Sequence, residues 1–198
     1  MSDTYKTIIA PTEGIYKEKG SKFLSFAIPV SSADEVKEIV KNYRKEYYDS
    51  RHVCYAYMLG ADRKEFRAND DGEPSGTAGR PILGQINSRE LTNILVIVVR
   101  YFGGILLGTG GLVVAYKEAT TDALDQAEVI EKTVDETIAI LFDYVLMNEV
   151  MRVIKDTNAQ ILNQSFEDQC AMQLSIRKQD SILLSSKLAK IYGLHIKE

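Results

Sequence analysis

Hydrophobic positions change period several times along this chain, and each change marks an element. Thr4–Ala10 and Ser21–Val30 read as strands, with Gly14 and Gly20 punctuating a turn region between them. Val36, Ile39, Val40 and Tyr43 then recur at helical spacing, which predicts a helix running to about Tyr48. Ser31 or Ser32 caps it, with Glu35 at capping-box distance from Ser32. Val53–Leu59 is an apolar strand ending at Gly60, and Phe66–Asn69 a short return strand. Ile94–Phe102 (ILVIVVRYF) is the most apolar stretch, the pattern of a strand buried on both faces. From Leu112 the period turns helical, with Val113, Tyr116, Ala119, Thr120, Ala123, Leu124 and Ala127 on one face. Glu128–Glu136 alternates as a strand or linker.

The remainder has a different texture. Thr137–Val145 reads strand, Met147–Thr157 helix, Ala159–Glu167 strand, Cys170–Lys178 strand, Ser181–Tyr192 helix and Leu194–Lys197 strand. That β-α-β-β-α-β order is the ferredoxin-like arrangement. Twelve of the 13 glycines precede residue 112, which separates a glycine-rich part from a glycine-poor one. The expected fold class is α+β, with one domain over 1–130, a seam near 130–136 and a second domain over 136–198.

Two glycine-rich segments interrupt these patterns. In Asp70–Gly84, four glycines and two prolines argue against continuous helix or central strand. Its stretch Ser75-Gly76-Thr77-Ala78-Gly79-Arg80 has the glycines, hydroxyls and arginine of an anion-holding backbone nest. Gly-Lys-Ser/Thr does not follow, so it is not a P-loop. Asp70, Asp71 and Glu73 have the chemistry to hold Mg²⁺, or simply to solvate an exposed turn; no metal site is assigned. The second segment, Arg100–Leu112, joins the buried strand to a helix beginning near Thr109–Gly111, where free N–H groups make an anion site. Gly103, Gly104, Gly110 and Gly111 belong to that site, or else allow close helix–sheet packing. Lys117, two turns into the helix, reaches the anion or is solvated. Gly108-x-Gly110-Gly111 lacks dinucleotide-fingerprint spacing. His52 opens the strand before these segments and is a candidate acid–base group, oriented by Glu73 if the fold joins them.

Composition changes this picture little. With 24 Lys+Arg against 28 Asp+Glu the net charge is −4, without the basic excess usual in nucleic-acid binders. Folding can still sort charge into a local basic face. No apolar run is long enough to cross a membrane, and the start lacks a signal-peptide layout, so a cytoplasmic location and no membrane partner are expected. Cys54 and Cys170 stand alone and read as buried small hydrophobes. No cofactor is implied.

Asp70–Leu83 (DDGEPSGTAGRPIL) together with Val98–Val113 (VVRYFGGILLGTGGLV) resembles the YigZ/IMPACT family. Lys19–Phe23 and Arg51–Tyr57 fit the same family, and the last third is similar to the C-terminal domain of its bacterial members. The resemblance implies an N-terminal fold like the second domain of ribosomal protein S-five. It also implies a ferredoxin-like C-terminal domain akin to one of elongation factor G. Eukaryotic relatives regulate translation through an additional N-terminal domain, which is not expected here, so their partner does not transfer. Ile105 and Val114 stand where many members carry a basic residue. The metal-ligand set of a dipeptidase, a label some members carry, is missing.

Two functions follow as expectations. One is a translation-associated regulator binding RNA, the ribosome or a translation factor through Arg80, Arg100 and Lys117. The other is an enzyme or nucleotide binder, with a phosphate-bearing small ligand held by Thr77–Arg80 and Thr109–Gly111 and with His52 or Glu73 as acid–base groups. A scaffold whose glycine loops only shape a protein-binding surface is the plainest alternative.

Overall fold

A computed structural model describes residues 3–197. The described chain divides into two compact units, one of Tyr5–Lys132 and one that runs from Thr133 and includes Asp3 and Thr4. Among the described residues no helix is long and apolar enough to cross a membrane.

In the first unit, β2 (Thr12–Glu18), β3 (Ser21–Pro29), β4 (His52–Leu59), β5 (Glu65–Asn69) and β6 (Ile94–Tyr101) form an antiparallel sheet in the order β2-β3-β6-β4-β5. The apolar strand is central, as its composition requires. Its even positions Ile94, Val96 and Val98 pack with Ile82 and Ile86 of α2 (Gly79–Ser88) and with Ala115, Tyr116 and Ala119 of α3 (Gly108–Asp125). Its odd positions Leu95, Ile97 and Val99 pack with Val36 and Val40 of α1 (Ala33–Glu46). Both faces are thus buried, and all six residues have no exposed surface. β1 (Thr4–Ile8) and β7 (Val129–Thr133) make a separate two-stranded sheet.

Two expectations are corrected here. Gly14 lies inside β2, not in a turn, opposite Ser25 of β3. A Cβ there would collide with the Ala123 backbone of α3, so the glycine admits a helix onto the strand. The first glycine segment is helical from Gly79 onward despite Pro81. The proline sits in the first turn, where a helix makes no use of its missing N–H. The α1 cap divides its roles: Ser32 accepts the Glu35 amide at 3.3 Å, while the Glu35 carboxylate accepts from the Ser31 amide at 2.7 Å.

The second unit runs β8 (Asp135–Phe142), α4 (Met147–Thr157), β9 (Gln160–Phe166), β10 (Cys170–Arg177), α5 (Lys178–Leu188) and β11 (His195–Lys197). Its sheet is antiparallel with order β11-β8-β10-β9. Alternate residues Ile140, Phe142, Met172, Leu174 and Ile176 form one core with Val150, Ile154, Leu184 and Leu188 of the two helices. Helix α5 begins and ends earlier than its apolar pattern predicts. Asp3 belongs to this unit because Arg177 holds its carboxylate through Nε and Nη2 at 2.6 and 2.8 Å, and Gln179 adds a third donor.

Candidate functional site

The row of even positions on β6 ends in a charge. After Ile94, Val96 and Val98 comes Arg100, on the same face by strand alternation. Sheet register sets Phe23 of β3 and His52 of β4 directly opposite it on either side. Arg100 has a side chain only 6% exposed, and its guanidinium lies 5.5 Å from the centre of the Phe23 ring and 5.7 Å from that of Phe102. A buried guanidinium needs a counter-charge, and Glu73, 3% exposed, supplies it: Nη1 donates to Oε1 at 2.6 Å. The Tyr116 hydroxyl of α3 donates to the same Oε1 at 2.7 Å. Cys54 Sγ is 3.3 Å from that hydroxyl and 3.0 Å from the Asp70 carbonyl. Burial pushes both the Tyr116 phenol and the Cys54 thiol well up, so both keep their protons and Cys54 is no nucleophile. The guanidinium Nε is buried with no hydrogen-bond partner among the described residues.

His52 completes the cluster. Its Nδ1 is 2.7 Å from the Asp71 carbonyl, and its Nε2 is 3.8 Å from Glu73 Oε2. Above these groups opens a cleft of about 470 Å³. Glu73 and Pro74 of the first glycine segment line it, with Arg100, Phe102 and Leu106–Thr109 of the second, and Arg51, His52 and Leu112. The two glycine segments therefore meet in one place, through Glu73 and Arg100.

The remaining predicted residues divide sharply. Ser75 is exposed, and the amides of Gly76, Ala78 and Gly79 donate to the Asp70 carboxylate at 2.8–3.0 Å. The anion in that nest is the chain's own. Burial works to raise the Asp70 pKa, but those three amides and the Arg80 charge outweigh it and hold the carboxyl below its usual range. Thr77 Oγ1 donates to the Pro74 carbonyl. Asp71 accepts from the Val53 amide and from Arg44, which ties the loop to β4 and α1. Arg80 and Lys117 are exposed and outside the cleft, so neither stands with Arg100 as expected. Gly103 serves packing: a Cβ on it would overlap the Gly20 backbone. Asp70, Asp71 and Glu73 turn to different partners, and no group of three metal-ligating side chains occurs among the described residues.

The second segment keeps open amides. No side chain caps the start of α3 among the described residues, and Gly108 and Thr109 at its first turn line the cleft. A Cβ added at Gly104, Gly108 or Gly110 would meet nothing within 4 Å, while Gly111 packs against Leu107. Sequence reasoning missed Tyr116, Asp70's nest and the apolar wall of Phe102, Leu106 and Leu107. Tyr116 carried a signal, being the one large polar-tipped residue on an otherwise small or aliphatic face.

Residues 19–124 match the family model described as the Impact N-terminal domain, a span that contains every residue of the cleft. The chain is 32% identical over 182 residues to IMPACT family member YigZ of Escherichia coli, covering 91% of this chain and 89% of that protein. It is 27% identical over 191 residues to IMPACT family member YvyE of Bacillus subtilis, covering 96% and 88%. A crystal structure of a hypothetical protein superposes with a TM-score of 0.77 at 30% identity, covering 99% of this chain and 97% of that one. The chain belongs to the IMPACT family.

Proposed function

We propose, with family membership as the premise, that this chain is a translation-associated protein that binds RNA through the cleft above Glu73 and Arg100. The observation that carries the reading is Arg100 itself. Its charge is offset by Glu73, and it lines a cleft beside a helix start that no side chain caps among the described residues. The amides of such a helix start suit an incoming phosphate oxygen. Arg51 adds a second positive group, so the cleft is locally basic although the chain is acidic overall. Phe102 and Leu106, 48% and 82% exposed, offer apolar surface to a base.

The domain identities support the same assignment. We assign 1–130 to an S-five domain-two-like fold and 136–198 to a ferredoxin-like fold, the second supported by its β-α-β-β-α-β order with strands arranged 4-1-3-2. The test is fluorescence anisotropy with ribosomal RNA fragments and transfer RNA across a salt series. Binding should fall steeply with salt, as phosphate contacts release counterions; no binding at low salt overturns the reading. The cleft volume favours one alternative, a phosphorylated small molecule with His52 or Glu73 as acid–base groups, since about 300–1,000 Å³ is usual for such sites. Thermal shift with nucleotides and sugar phosphates tests it.

A further inference from the structure

We infer that β9 is a self-association edge, across which a second copy of this chain pairs antiparallel to form one continuous sheet. β9 (Gln160–Phe166) ends the order β11-β8-β10-β9, so among the described residues one side of its backbone meets no strand. Sheet edges are ordinarily guarded by charge, which blocks pairing with another chain. Every other edge strand here is guarded in that way: Lys6 on β1, Lys17 on β2, Arg67 on β5, Glu131 on β7 and Lys197 on β11. β9 reads Gln-Ile-Leu-Asn-Gln-Ser-Phe, without charge or proline, and its Leu162 and Phe166 are 56% and 51% exposed.

The backbone sets which residues face outward. In the hairpin after β9 the Glu167 amide donates to the Gln169 carbonyl, so Glu167 points to the β10 side. Alternation then turns Phe166 and Gln164 to the free side. The Gln164 amide agrees, donating to the exposed side chain of its neighbour Asn163 at 2.8 Å. A two-fold axis through Gln164 sets that residue opposite its own copy, with Leu162 opposite Phe166 and Asn163 opposite Ser165. Outward residues thus meet outward residues, as hydrogen-bonded pairs require. The exposed apolar side chains cover each other twice, once on either side of the axis. Glu167 falls opposite Ile161, so acid does not face acid. A foreign strand would be selected by charge, and this edge offers none. What it offers is a sequence that complements its own reverse, which selects a second copy. The contacts are mostly backbone on one short strand, which places the pair among weak, transient interfaces.

Sedimentation equilibrium of the full chain, from micromolar to millimolar concentration, should show a monomer–dimer equilibrium. Each copy carries a net charge of −4, so added salt should strengthen the pair by screening repulsion, the opposite of its effect on RNA binding. Phe166→Lys removes two Leu–Phe contacts and guards the edge, and should weaken dimerisation roughly tenfold. Gln164→Pro removes the central outward donor while sparing the pairing with β10, and should weaken it comparably. Phe66→Lys replaces a similarly exposed phenylalanine on the charged edge β5 and should change nothing. Thermal melting checks that each variant remains folded. A dimer that survives both β9 variants, or that salt weakens, overturns the assignment. Growth into unlimited oligomers also overturns it, since a two-fold pair uses up the edge. So does a monomer at every concentration, including the case in which a foreign extended peptide protects the Gln164 amide from exchange.

Discussion

The two glycine-rich segments look alike in sequence and do opposite things. In Asp70–Gly84 the amides converge on a carboxylate that the chain itself provides, so the nest is full. In Arg100–Gly111 no side chain caps the start of α3 among the described residues, and Gly108 and Thr109 line a cleft. Glycine gathers backbone donors in both cases. Whether those donors serve the fold or a ligand depends on whether an acceptor is supplied from within.

The strongest way to break this contrast is at the joint between the segments. Glu73→Ala leaves the Arg100 guanidinium buried without a counter-charge and should cost about 3–5 kcal/mol in denaturant unfolding. A loss near zero would mean that Arg100 finds another partner. Next, Asp70→Asn should cost about 2–3 kcal/mol at neutral pH, because three amides lose a charged acceptor. The sign with pH is fixed by the lowered folded pKa. Asp70's contribution is complete above the unfolded value near 3.8 and disappears as pH falls through the lower folded one. The gap between the variant and the parent chain should therefore close in acid; a gap that widens refutes the filled nest.

Smaller effects sharpen the comparison. Gly103→Ala should cost about 1–3 kcal/mol, since its Cβ has to displace the Gly20 backbone, and should be read by thermal melting. Gly84 and Gly110, one from each segment, are helical with open space at the Cβ position. Alanine at either should raise stability by about 0.5–1 kcal/mol. Only Gly110→Ala, at the first turn beside the cleft, should also weaken phosphate-ligand binding. Equal ligand affinity for the two variants would remove the functional difference between the segments.

Much of this protein follows from its sequence alone. Period and punctuation located most elements, because a strand or helix buries one side of a repeating pattern and that repeat is local. The same logic marked Ile94–Phe102 as buried on both faces and divided a glycine-rich part from a glycine-poor one. It failed at Gly14 and at Pro81, where the local residue argues against the element and packing or position in the first turn overrides it. The site itself was legible only as parts. Arg100, Glu73 and His52 were visible as candidates, but their meeting depends on strand register and on a loop folding back across 27 residues. Tyr116 arrives from 43 residues beyond Glu73, on a helix whose periodicity says only that it is buried. Nothing in the order of residues states that Asp70 fills the first nest while the second stays open. Tertiary structure decides it, because an acceptor acts on donors by distance, and distance between remote residues is set by packing.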